Sequence, residues 1–371
     1  LLLSSFALRG LRLRNRIVVS PMQMYSTPQA RADAFHLVHL GRFALGGVGL
    51  VIMEATAVCP EGRSTVHDLG LWSEEQADAL RPITEFLRAH GAATAVQIQH
   101  AGTKSACRSP WDGFGPLRPE DAARGEARWE AWGPTEAGWS EAYPPSHAID
   151  RADMDYLVER YRDATRLAVR AGFDAVEIHA AHGYLLHSFL SPLTNRRSDA
   201  YGGSLEGRMK FPLEVVQAVR EVWPAERPLL FRMSCVDGRS IGWSIDDSVA
   251  LARRLKSIGV DAIDCSSGGA SLPSAADLVA RRDGFQVPLA RAIRSQAAMP
   301  TIAVGLIRNA HQANAILEEG CADLVALARE LLWNPNFAVH AGQQLQADPD
   351  WAMWPRQFGW WLKRRARGYG S

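Results

Sequence analysis

The sequence predicts a (β/α)8 TIM barrel, α/β in class, as a single domain spanning 1–371, with an excursion at 105–147 after the third strand and a C-terminal tail at 345–371. Three observations carry this. Short runs rich in Val and Ile alternate with longer stretches of helical period, as a parallel sheet built from βα units requires. Eight such runs occur, the number that closes a barrel. The alternation also suits a doubly wound open sheet, but the Gly-x-Gly-x-x-Gly turn that follows the first strand of such a sheet is missing.

The strands read in order as Arg16–Met22, Gly49–Val58, Thr94–His100, Ala175–Ala181, Leu229–Ser234, Ala262–Ser267, Thr301–Gly305 and Asp323–Ala328. Amphipathic segments between them include Ser73–His90, Asp153–Ala171, Glu206–Val222, Ile245–Ile258 and Asn309–Glu319. Glycines at 91, 172, 259 and 320 directly follow helical stretches and mark their C-termini. Two regions stand outside the repeat. Residues Ser105–His147, with Trp111, Trp129, Trp132 and Trp139, are too long for a plain connection and are expected over the C-terminal mouth. The tail Trp351–Arg367 sets aromatic residues beside a basic cluster, which suits either a capping helix with a solvated face or an interface.

With 47% hydrophobic and 22% charged residues the composition is that of a soluble globular protein with a sizeable core. Lys plus Arg number 41 against 40 Asp plus Glu, so no net field recruits nucleic acid or an anionic membrane, and a small-molecule substrate is expected. The opening LLLSSFALRGLRLRN is too interrupted for a signal peptide, and no apolar run approaches the roughly 18 residues of a membrane helix. Cys59, Cys107, Cys235, Cys265 and Cys321 lie far apart without a Cys-x-x-Cys pair, against a disulfide framework or a zinc site. A cytoplasmic location is expected.

Reactive groups of a TIM barrel sit at the C-terminal ends of its strands. Here those ends are polar: Pro21-Met22-Gln23-Met24-Tyr25, then Gln97, Gln99 and His100, then His179, His182 and Tyr184, then Arg232. Two imidazoles that each present an N–H can hold one carbonyl oxygen and stabilise charge developing on it, and a nearby phenol can supply a proton. A metal site and a purely structural role are the other readings of His-x-x-His, although no carboxylate or thiol follows at ligand spacing. Arg232 on an apolar strand needs an anionic partner, either the reduced edge of a flavin or an internal carboxylate. Barrel phosphate sites lie in the loops after strands seven and eight, here Gly305-Leu306-Ile307-Arg308 and Ala328-Arg329-Glu330. Backbone N–H groups and the Arg329 fork would serve an anion there.

These segments resemble the Old Yellow Enzyme family of FMN-dependent ene-reductases, in particular its thermophilic-like or xenobiotic-reductase branch. The most specific match is HAAHGYLLHSFLSPLTNRRSDAYGGSLEGR; LRLRNRIVVSPMQMYS, EATAVCPEGR, VQIQHAGTK, FRMS, DCSSG, AVGLIR and ALARELLWNP follow the family order. The resemblance implies FMN as cofactor and NADPH or NADH as reductant. It implies that Pro21, Met22, Gln23, Ala57, Gln97 and Arg232 line the flavin ring and that Gly305 and Arg329 hold its phosphate. His179 and His182 would bind the substrate carbonyl, Tyr184 would donate the proton, and Tyr25 would border the substrate. Trp361 would trim the substrate pocket from a partner subunit, in a homodimer or higher homo-oligomer. Hydride would pass from flavin N5 to the β-carbon of an activated alkene.

Three positions depart from the family pattern. Gln23 stands where the branch has cysteine, Thr103 where it has arginine, and Ala328 where it has glycine. The first of these is shared, by resemblance, with flavin monooxygenase/reductases of aromatic CoA esters, a rival function. A flavin-free barrel acting as a binding protein or lyase is a second rival.

Overall fold

The computed structural model describes residues 1–27, 29–270 and 281–368. Eight parallel strands close into a barrel in chain order: β1 (Ile17–Val19), β2 (Leu50–Ala57), β3 (Ala93–Gln99), β4 (Ala175–Ala180), β5 (Leu229–Ser234), β6 (Ala262–Ser266), β7 (Thr301–Ala303) and β8 (Leu324–Leu327). The last strand pairs with the first through Val325 opposite Ile17.

Both faces of each strand are buried, which is why they read as apolar runs. One row, including Val18, Ile52, Leu230, Ile302 and Leu324, fills the interior. The other row, including Val51, Val176 and Phe231, packs under the helical ring. That ring comprises α1 (Ala34–Leu45), α2 (Glu74–Ala89), α3 (Arg151–Arg170), the short α4 (Leu185–Leu190), α5 (Leu205–Val222), α6 (Ile245–Ile258), α7 (Val287–Gln296) and α8 (Ala310–Glu318). Their ends follow the local chemistry. Ser73, Asp150, Ser204, Ser244 and Asn309 cap N-termini with their side chains, and Gly91, Gly172, Gly259 and Gly320 take positive φ just beyond helices.

Two differences from the sequence reading have clear causes. Phe6–Leu8 and Leu11–Leu13 form an antiparallel hairpin whose Leu8 and Leu13 join the interior cluster of the barrel. The opening segment thus contributes to the core. The first strand stops at Val19, three residues short of its expected end, because the ladder turns at Ser20 and Pro21 has no N–H to continue it.

The excursion carries a short parallel pair, Trp132–Gly133 with His147–Ala148. Its Trp139 donates to the Gly269 carbonyl beyond β6 at 3.2 Å and covers Lys104, whose Nζ lies 4.2 Å from the ring. After β8 come α9 (Arg329–Trp333) and α10 (Phe337–Gln344), and the tail contributes α11 (Arg356–Gly368). All five cysteines are buried free thiols. Among the described residues no helix is long and apolar enough to cross a membrane.

Candidate active site

The turn after β4 brings the expected trio together. His179 and Tyr184 are buried, with ring centroids 4.9 Å apart, and His182 lies 5.1 Å from His179. His179 Nδ1 accepts the Ala181 N–H at 3.2 Å, so the proton of the neutral ring sits on Nε2. That nitrogen is 3.4 Å from His182 Nδ1, and His182 Nε2 is 2.7 Å from Ser266 Oγ. Burial, then the charge of Arg232, holds both imidazoles well below the usual histidine range, so they are neutral at neutral pH.

His182 adopts φ +60, in the left-handed region where a side chain is strained, and its surroundings hold it there. Ser234 Oγ accepts its N–H at 3.0 Å and Lys104 Nζ donates to its carbonyl at 2.5 Å. Next in chain, Gly183 at φ +79 passes so close to Gly269 that an added Cβ would lie 2.2 Å from the Gly269 carbonyl oxygen. The Gly183 N–H donates to His187 Nδ1 at 2.8 Å, and His187 Nε2 lies 3.0 Å from the buried Asp237. Sequence reading missed Ser234, Ser266, His187 and Asp237 as supports of this turn. The polar pair in the DCSSG run was the one available signal.

The segment after β1 forms the facing wall. A register shift between Met53 and Ala55 in β2 accompanies a buried Glu54, whose Oε2 accepts the Met24 N–H at 2.9 Å. Gln23 then reaches the trio: its Oε1 accepts the Tyr184 hydroxyl at 2.8 Å and the Tyr25 hydroxyl at 3.4 Å. Pro21 and Met22 are half-buried beside it. Burial pushes the Tyr184 hydroxyl well above the usual phenol range, which keeps it protonated.

Below lies a buried charge cluster. Arg232 Nε sits 3.4 Å from Asp264 Oδ2, and Nη1 donates to Ser20 Oγ at 3.1 Å. Of the two partners the sequence left open for this cation, the internal carboxylate is present. It is not aligned as a hydrogen bond: Arg232 Nε and both Asp264 oxygens are buried without a hydrogen-bond partner. Gln97 Nε2 donates to Glu177 Oε1 at 2.8 Å. Burial first, and the charge of Asp264 second, pushes the Glu177 carboxyl up. Acids inside apolar runs, as in AVEIHA and AIDCSS, were legible signals of such a cluster.

A cavity of about 360 Å³ runs from His182 and Ser266 to Gly305, Leu306, Ala328 and Arg329. Gly305 has φ +110, and a Cβ there would meet Gln286 Nε2 and Phe285 Cε1 at 2.9 Å. Arg329 is exposed at the rim with no ion-pair partner among the described residues. Of the expected site residues, His182, Gly305 and Arg329 line this cavity. Ala57 is fully buried, its N–H donating to the Leu69 carbonyl and its own carbonyl accepting the Leu71 N–H. Trp361 on α11 is 66% exposed and does not line the cavity of its own chain. No cluster of three His, Cys, Asp or Glu side chains suited to a metal occurs among the described residues.

The family model for NADH:flavin oxidoreductases and NADH oxidases matches residues 2–348. The chain belongs to this family. It is 43% identical over 346 residues to an NADPH dehydrogenase of Geobacillus thermodenitrificans, covering 93% of this chain and 94% of the relative. An NADPH dehydrogenase of Geobacillus sp. (strain WCH70) is 42% identical over 347 residues, with the same 93% and 94% covered. Morphinone reductase is similar in structure, with a TM-score of 0.75 at 28% identity, covering 93% of this chain and 90% of that one. The protein is therefore an Old Yellow Enzyme relative, an FMN-dependent oxidoreductase with a reduced nicotinamide as electron source. The residues fit FMN: Gly305 and Arg329, the latter with no ion-pair partner among the described residues, line the cavity, and the buried Arg232 Nε is a donor without a hydrogen-bond partner.

Proposed function

We propose that this flavoenzyme reduces the carbon–carbon double bond of α,β-unsaturated carbonyl compounds and related activated alkenes. The observation that carries the reading is the juxtaposition of two neutral imidazoles with a protonated phenol, His179 and His182 beside Tyr184, with His182 on the cavity wall. Pro21, Met22, Gln23, Gln97 and Arg232 would hold the ring of FMN, with Gly305 and Arg329 at its phosphate. Bound FMN supplies the hydride.

The side chains do the rest. His179 Nε2–H and a ring N–H of His182 hold the substrate carbonyl and lower the cost of negative charge on its oxygen. Tyr184 then protonates the α-carbon, turning its hydroxyl away from Gln23. Tyr25 borders the same space. We extend the proposal to a cytoplasmic homodimer in which Trp361 of one subunit trims the substrate pocket of its partner; five free thiols suit a reducing compartment, and the aromatic face of α11 is exposed.

The test is an anaerobic titration of the purified flavoprotein with NADPH, followed by cyclohexenone. Bleaching and then stoichiometric return of the flavin absorbance with saturated ketone as product is expected. Failure of every activated alkene to reoxidise the flavin, with oxygen-dependent turnover of an aromatic CoA ester instead, would overturn the reading.

A further inference from the structure

The loop after β2 folds beneath the Gln23 side chain and presents it with a buried carboxylate. Asp68 Oδ2 accepts the Ser64 N–H at 2.6 Å and its hydroxyl at 2.7 Å, while Oδ1 accepts the Thr65 hydroxyl at 2.7 Å and N–H at 3.2 Å. One further donor comes from outside the loop: Gln23 Nε2, 3.1 Å from Oδ2 and 3.2 Å from Ser64 Oγ. An ionised carboxylate only accepts hydrogen bonds, so it fixes which end of the amide faces it. Gln23 Oε1 is thereby turned away from Asp68, where it meets the Tyr184 hydroxyl. The charge on Asp68 also polarises the amide and makes Oε1 a stronger acceptor.

We propose that Asp68 is a positioning residue for Tyr184: through Gln23 it decides whether the tyrosine hydroxyl is held against the β1 segment or released toward substrate. The inference rests on Tyr184 being the proton donor of the reading above. With Asp68 ionised, the Tyr184 hydroxyl donates its hydrogen bond to Gln23 Oε1, and that bond must break before the proton is delivered. With Asp68 protonated, its own O–H becomes a donor and the amide loses the partner that oriented it. Rotated by half a turn, Gln23 offers Nε2–H to the Tyr184 oxygen, and the hydroxyl proton is free to point into the cavity. No covalent bond changes other than the proton exchanged between solvent and Asp68.

Burial pushes the Asp68 carboxyl up to about 6, against the lowering effect of its Ser64 and Thr65 hydrogen bonds, so the exchange falls near neutral pH. The charged and titratable groups facing it are Glu54 from β2, Arg63 from its own loop, Tyr25 from the β1 segment, Tyr184 at the start of α4 and Cys107 from the excursion. Glu54 adds to the rise.

The experiment labels the ζ-carbons of tyrosine with carbon-13, assigns Tyr184 by its loss in Tyr184→Phe, and follows it by NMR across the Asp68 ionisation in the FMN-bound protein. The Tyr184 resonance is expected to move with a midpoint near 6, and the movement should vanish in Asp68→Asn and in Gln23→Leu, which keeps volume but removes the amide. Where Asp68→Asn does not fold, Gln23→Leu decides alone. A resonance that stays still in the parent protein, or that moves unchanged in Gln23→Leu, overturns the inference. Because the signal reads the hydroxyl and not turnover, alkene reduction with a still resonance sinks this proposal only. A moving resonance in an enzyme that reduces no alkene sinks the functional reading instead.

Discussion

Arg232 and Asp264 face each other at directly paired positions of β5 and β6, with 3.4 Å between Nε and Oδ2. Glu177 shares the same buried interior, so one guanidinium stands among two carboxyls. Removing one member of a buried pair leaves an uncompensated charge, which costs about 3–5 kcal/mol. Arg232→Leu should therefore lose about that much stability in urea unfolding of the apoprotein. Folded-state values of Asp264 and Glu177 are raised above their unfolded values. Stability is therefore kept below the unfolded values and lost as pH rises, so the variant should be weakest in alkali. Restored stability in Arg232→Leu/Asp264→Leu would support the pairing, and no loss in Arg232→Leu would contradict it.

Tyr184→Phe keeps the ring against His179 and removes the hydroxyl that donates to Gln23 Oε1 at 2.8 Å. Stopped-flow measurement of the two half-reactions should show alkene-dependent reoxidation slowed by roughly 10²–10⁴, with flavin reduction by NADPH little changed. Equal losses in both would make the tyrosine structural.

His179→Ala/His182→Ala should abolish binding of a phenol, whose ionised oxygen imitates the enolate oxygen those donors would hold. The long-wavelength charge-transfer band of the phenol complex is the readout. Since each lost hydrogen bond to a charged group is worth about 1.5–3 kcal/mol, either single change should weaken binding by roughly tenfold or more. A band that survives in the double variant would show that the histidines do not form the site.

Gly305→Ala forces a side chain onto a backbone at φ +110 and against Gln286 and Phe285 at 2.9 Å. Strain of this kind costs on the order of 1–3 kcal/mol, and it falls on the wall of the cavity. FMN titration by fluorescence quenching should show affinity about tenfold weaker or worse. Unchanged affinity would place the phosphate elsewhere.

Deleting the chain from Trp354 onward removes α11 with its exposed Phe358, Trp360 and Trp361. Light-scattering mass should fall to that of a monomer, and the range of alkenes accepted should widen. A truncated protein of unchanged mass and range would refute the subunit contact.

The barrel was legible because burial on both faces makes each parallel strand an apolar run, and because caps and glycines mark helix ends locally. His179, His182 and Tyr184 were legible together for the same reason: one strand and its turn carry all three. The hairpin at Phe6–Leu13 was not, since three-residue strands show too little alternation to stand out.

What only the tertiary structure decided is how distant groups meet. Gln23 and Tyr184 are 161 residues apart, and the direction of the Gln23 amide follows from Asp68 on one side and two tyrosine hydroxyls on the other. The sequence could name Gln23 as unusual but not say which of its ends faces the cavity. Likewise it marked Arg232 as a buried cation in need of an anion, while the choice of Asp264 came from strand register. Local periodicity and chain connectivity decide which elements form, and these are written along the chain. Hydrogen-bond direction, ion pairing and proton affinity depend on what closes around a group and excludes water, which the chain determines only by folding.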